Sequence, residues 1–123
     1  MSTEVIIAET AFHPSRRWPR YRLDLPVRVI ADKRGKTSIV QARGNELNEG
    51  GLAIFAGTEL HEGEEIAVEF TPPYSGTPIR VRCTVRDRKG YMYGLEFLTS
   101  TIEDHESVEQ IRFVLRGLGS PIK

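Results

Sequence analysis

Cysteine is nearly absent from this chain. There is one, Cys83, so an internal disulfide is excluded. A lone thiol fits a reducing compartment, and the expected location is cytoplasmic. Long apolar runs are missing as well. None approaches the ~20 residues a bilayer-spanning helix needs, so no membrane association is expected. Met1-Ser2-Thr3-Glu4-Val5 lacks the basic region and apolar stretch of a signal peptide. Histidines are few and dispersed: His13, His61 and His105 show no metal-ligand spacing. No phosphate-binding GxxxxGK[ST] loop, GxSxG elbow or HExxH helix occurs, and no residue presents itself as a catalyst. The expectation is a protein that is not an enzyme and carries no metal or cofactor. Net charge is also missing. Lys and Arg number 17, and so do Asp and Glu, which argues against bulk coating of a nucleic acid. No internal repeat or low-complexity tract is present.

What remains is a chain of 123 residues, 39% hydrophobic, of a size for one domain with a single core. Its zero net charge hides an asymmetry. Between Arg16 and Lys36 stand eight basic side chains and two acids, whereas Glu59, Glu62, Glu64, Glu65 and Glu69 cluster later. The densest basic stretch is Arg16-Arg17-Trp18-Pro19-Arg20-Tyr21-Arg22. Core formation requires no such cluster. It is either a solvated arm or a grip for a compact anion, because the planar guanidinium fork suits phosphates and the O6/N7 edge of guanine.

Residues 1–15 read as a loosely held leader. Pro19 disfavours helix at Trp18 and keeps the arginine segment, 16–22, extended. Leu23, Leu25, Val27 and Val29 then alternate with polar positions, as in a half-buried antiparallel strand, and Pro26 suggests a sheet edge or a bulge. Asp32 to Lys36 is a turn, and a second strand runs from Thr37 to Asn45. Glu46-Leu47-Asn48-Glu49-Gly50-Gly51 is a glycine-bearing break before a short apolar strand, Leu52 to Phe55. Ile66, Val68 and Phe70 alternate as a fourth strand. The proline-rich stretch from Thr71 to Pro78 is a loop. Ile79, Val81, Cys83 and Val85 alternate with Arg80, Arg82, Thr84 and Arg86; Cys83 is therefore a core position. Asp87 to Gly90 turns the chain into a sixth strand, Tyr91 to Leu98. The period then changes. Ser100 and Glu103 suggest a capping box, and Val108, Ile111, Leu115 and Leu118 recur at helical spacing. The pattern predicts a mainly β fold: a six-stranded antiparallel barrel over 22–98 and one C-terminal helix over 101–118.

With these elements in place the chain resembles the PilZ domain, the bacterial receptor module for cyclic di-GMP. The resemblance covers Arg16 to the end of the helix, and 16–123 is taken as one domain. Arg16-Arg17-Trp18-Pro19-Arg20 matches the family's RxxxR motif, and Tyr21 to Val29 matches the strand after it. Glu46 to Leu52 occupies the place of the second motif, [D/N]xSxxG. Tyr93-Gly94-Leu95-Glu96-Phe97 resembles the glycine-containing last strand. The resemblance implies a split barrel with cyclic di-GMP as ligand, held by Arg16, Arg20, Glu46, Asn48 and Gly51, with Arg17, Trp18 and Gly50 as further candidates. Arginine can pair with the ligand's phosphates, donate to guanine or stack on it. In the second motif Glu46 stands for Asp or Asn and Asn48 for Ser, while Gly51 agrees. A Glu carboxylate can still accept from guanine N1–H and N2–H, with one methylene more to accommodate.

The implied function is that of a cyclic di-GMP effector, in motility or biofilm regulation, whose arm reorders on binding and whose output passes through an unidentified protein partner. Two alternatives compete. One is a PilZ module whose altered second motif no longer takes nucleotide and which acts as a protein-interaction adaptor. The other is a small barrel binding single-stranded nucleic acid through arm and aromatics, a partner the neutral net charge disfavours. Each site residue has a plainer reading too. The arm can be solvated, Glu46 to Gly51 can be an ordinary strand-end turn, Trp18 can cover the barrel mouth, and Arg22, Arg82 and Arg86 can be outward strand positions.

Overall fold

The computed structural model describes residues 20–72 and 76–117. Among the described residues six strands come first: β1 (Tyr21–Lys33), β2 (Lys36–Leu47), β3 (Gly51–Ala56), β4 (Glu65–Phe70), β5 (Ile79–Lys89) and β6 (Met92–Phe97). One helix, α1 (Ile102–Arg116), follows. All strand pairs are antiparallel, in the order β1-β2-β3-β6-β5-β4, and β4 pairs with β1 to close a barrel. This is the predicted architecture. The leader 1–15, Arg16, Arg17, Trp18, Pro19 and Leu118 lie outside the described residues.

The alternation in β1 fixes which side faces in. Leu25, Val27, Val29 and Ala31 are buried, while Asp24, Pro26 and Arg28 are exposed. The β1–β2 hairpin turns on Arg34 and Gly35, both at positive φ (54° and 77°), between the paired Lys33 and Lys36. That is the backbone of a type I′ turn, whose twist matches the strands it joins. Pro26, which has no N–H to give, occupies a tolerant place. The β1–β4 ladder spans Arg28 to Ile30, and the β1–β2 register shifts between Arg22 and Leu25. A proline here interrupts no β4 pairing and lies one residue beyond a bulge.

The interior is filled by Val27, Val29, Leu47, Ile54, Val68, Val81, Cys83, Val85 and Tyr93, with Val108, Ile111 and Leu115 added from α1. Burial of a Val, Leu or Ile side chain contributes roughly 1.5–3 kcal/mol. Cys83 is a core residue, as predicted; burial, with a smaller contribution from the Asp104 charge, pushes its thiol well above the usual range. Leu60, in the β3–β4 connection, is also buried. Its amide donates to Tyr93 Oη (3.0 Å), and that hydroxyl donates to the Thr58 carbonyl (2.8 Å).

Four expectations need correcting. β2 runs on to Leu47, and β5 continues to Lys89, so the last hairpin turn shrinks to Gly90-Tyr91. Thr84, placed outward by alternation, is buried, and β5 is the strand against which α1 packs. The capping box falls one position later than Ser100 and Glu103. Thr101 Oγ1 accepts from the Asp104 amide (3.0 Å), and Asp104 Oδ2 accepts from the Thr101 amide (3.3 Å). The cause is tertiary. Arg82 of β5 donates to both Asp104 oxygens (2.9 and 2.8 Å), so Asp104 turns inward and Glu103 is left in solvent.

The Arg82 fork, with the Thr101 bonds, holds the Asp104 carboxyl well below the usual carboxylate range. The sign follows from linkage. A depressed folded-state pKa contributes stability above the unfolded value of about 3.9, and this is lost as pH falls below it. Equilibrium unfolding measured across pH 2–7 should show stability declining below about pH 4. Asp104→Asn should flatten that decline; an unchanged acid limb would refute the assignment.

Candidate functional site

The pairing of β1 with β2 decides what sits together at one end of the barrel. Tyr21 pairs with Leu47 and Arg22 with Glu46. The last arginine of the basic stretch before β1, Arg20, is thereby brought beside the end of β2. Its Nε lies 3.5 Å from Glu46 Oε2. Both side chains are largely shielded, Arg20 4% and Glu46 13% exposed. Burial raises the Glu46 pKa, and the charges of Arg20 and then Arg22 oppose that shift. Arg22 itself is exposed on the outward face, as the alternation predicts.

After β2 the chain reverses over Asn48, Glu49 and Gly50. Asn48 is buried and builds the reversal: its Oδ1 accepts from the Gly50 amide (2.6 Å), and its own amide donates to the Gly51 carbonyl (3.0 Å). A side-chain oxygen accepting from the amide two residues on is an Asx turn. A serine hydroxyl can make the same bond, so Asn48 retains the local geometry that serine would give. The Gly50 carbonyl accepts from the Phe97 amide (2.9 Å), which ties the reversal to the end of β6.

Gly51 opens β3, opposite Glu96 in β6. A Cβ at this position would lie 2.2 Å from the Leu95 carbonyl oxygen. The glycine is required by the close approach of two strand backbones.

The order of elements agrees with a sequence-family comparison. The model of the PilZ domain matches residues 14–114. The chain belongs to the PilZ family. PilZ domains are cyclic di-GMP-binding and adaptor modules. Solved structures agree on the fold. The PilZ domain of CeSA from a cellulose-synthesizing bacterium superposes with a TM-score of 0.62 at 18% identity, over 79% of this chain and 97% of that one. The PilZ domain of Escherichia coli YcgR, solved with c-di-GMP, gives 0.59 at 20% identity, over 84% and 92%. The Bacillus subtilis inhibitor of motility MotI/DgrA gives 0.56 at 18% identity, over 83% of this chain and 50% of that one. Comparison with curated proteins gave no match. Among the described residues no helix is long and apolar enough to cross a membrane, and no His, Cys, Asp or Glu group could hold a metal.

Of the residues singled out in the PilZ motifs, Arg20, Glu46, Asn48, Gly50 and Gly51 fall at one end of the barrel, on the start of β1 and the β2–β3 reversal. Arg16, Arg17 and Trp18 lie outside the described residues. Arg82 and Arg86 have exposed side chains, as predicted, but both are ion-paired: Arg82 with Asp104 and Arg86 with Glu96. Sequence reasoning missed Glu49 and its partners. The Glu49 carbonyl accepts from Arg112 Nε (3.2 Å), and its carboxylate accepts from Arg116 (3.3 Å). These contacts span 63 and 67 positions. The available signal was the helical phase of Arg112 and Arg116, four apart and hence neighbours on one face of the last turns.

Proposed function

We propose that this PilZ domain is a cyclic di-GMP-binding effector that rearranges its N-terminal arm, and with it its protein contacts, on binding. The observation that carries the reading is the juxtaposition of Arg20 with Glu46 over the Asn48–Gly51 reversal. It joins the second arginine of RxxxR to the second motif in one corner. The chemistry suits the ligand. A guanidinium recognises phosphate oxygens and guanine O6/N7, and a carboxylate accepts from guanine N1–H and N2–H. Arg16, four residues before Arg20, is the proposed partner arginine. The ligand identity is supported by the family and by the nucleotide-bound YcgR domain.

One observation favours a second reading, that of an adaptor without nucleotide. The Glu46 carboxylate lies against the Arg20 guanidinium, so an incoming phosphate has to compete with it. Calorimetric titration with cyclic di-GMP separates the readings. The effector gives saturable heat that Arg16→Ala and Arg20→Ala each diminish. Absence of heat with the intact chain favours the adaptor. Heat left unchanged by both substitutions moves the site elsewhere.

A further inference from the structure

The ion pairs of α1 are unevenly placed. At its N-terminal end Asp104 is forked by Arg82 on β5. At its C-terminal end the helix reaches the motif reversal. Arg112 Nε donates to the Glu49 carbonyl (3.2 Å) and stands 3.7 Å from Glu49 Oε1, and Arg116 donates to that same oxygen (3.3 Å). Glu109 accepts from the far side of the Arg112 guanidinium (2.9 Å) and so orients the fork. The Glu49 carboxylate is 13% exposed and Arg112 21%, so this is a shielded contact and not a loose surface pair. Glu49 lies between Asn48, whose side chain makes the Asx turn, and Gly50, whose carbonyl is bonded to Phe97. The middle residue of the reversal is therefore held by the helix, and its neighbours by the turn itself and by β6.

We infer that Arg112 of α1 is a positioning residue for the Asn48–Gly51 reversal, with Arg116, 63% exposed, as an outer contact, coupling the seating of the helix to the shape of the second motif. This coupling rests on the contacts of Glu49. Its consequence for the nucleotide rests in addition on the proposed function. A clamp that favours one shape of the reversal favours any ligand needing that shape, and by reciprocity such a ligand strengthens the seating of the helix.

The test uses the full chain and reads two quantities. The first is amide hydrogen exchange at Asn48 and Phe97, whose N–H groups close the reversal onto Gly51 and Gly50. The variants are Arg112→Gln, Glu49→Gln, the double variant, and Phe113→Ala as a solvent-facing control on the same helix. Arg112→Gln should speed exchange at Asn48 and Phe97 about tenfold, a local opening made easier by roughly 1.4 kcal/mol, while core amides of β4 and β5 keep their rates. The double variant should be no worse than the poorer single, since the two side chains act as one unit. Phe113→Ala should change nothing at the reversal. Exchange at Asn48 and Phe97 that is unmoved, or that moves only in step with the core amides, overturns the inference. The second readout is cyclic di-GMP affinity, expected to fall several-fold in Arg112→Gln. Faster exchange at the reversal with no nucleotide binding by the unaltered chain upholds the clamp and refutes the nucleotide reading alone. Local opening with nucleotide affinity unchanged refutes the clamp's role in recognition.

Discussion

Gly51→Ala should destabilise the fold by about 3 kcal/mol, at the upper end of overpacking costs. The added methyl would meet the Leu95 carbonyl oxygen at 2.2 Å, and that oxygen is strand backbone, unable to swing aside like a side-chain tip. Relief requires β3 to part from β6. The opening strains the neighbouring bonds from Phe97 to Gly50 and from Asn48 to Gly51, so the second motif should loosen with the sheet. Thermal unfolding should report a Tm lower by on the order of 10 °C. Gly57→Ala provides the control, because a Cβ there meets nothing within 4 Å. That variant should stay within about 0.5 kcal/mol of the parent. Equal melting of the two variants would refute the account of Gly51.

Arg20→Ala should lower cyclic di-GMP affinity about 100-fold, or 2.7 kcal/mol, within the range for truncating one partner of a buried charge pair. Of the two arginines of RxxxR, Arg20 is the one whose surroundings are described. It is 4% exposed, beside Glu46, at the point where the basic stretch enters β1. Arg20→Lys should lose less, about tenfold, because it keeps the charge but not the planar fork. Removing the guanidinium also takes the stronger of two nearby positive charges from a Glu46 carboxyl whose ionised form burial already opposes. Circular dichroism alongside the titration distinguishes lost recognition from lost fold. Full affinity in a folded Arg20→Ala variant would refute the assignment.

The barrel was legible because its code is local. Leu25, Val27 and Val29 in β1, and Val81, Cys83 and Val85 in β5, declare an inward face by alternation alone, and the period change after Leu98 announces the helix. What could not be read depends on partners distant in sequence. Thr84 looks like a solvent position until α1 packs on β5. Asp104 becomes the capping-box acid in place of Glu103 because Arg82, 22 positions away, draws it inward. At the site, the two halves of the motif were recognisable by spacing, but the contact of Arg20 with Glu46 required the β1–β2 register. The roles of the second-motif residues were least visible. Gly51 answers to the Leu95 carbonyl, Asn48 to the Gly50 amide, and Glu49 to two arginines at the end of α1. The Asn48 turn is local, but the demands on Gly51 and Glu49 come from partners far along the chain and no local pattern encodes them.

The central claim is that the corner formed by Arg20, Glu46 and the Asn48–Gly51 reversal receives cyclic di-GMP. Calorimetric titration of the full chain with that nucleotide tests it most directly. The account predicts a saturable heat that Arg20→Ala diminishes about 100-fold in affinity. A flat titration with the folded, unaltered chain would contradict it.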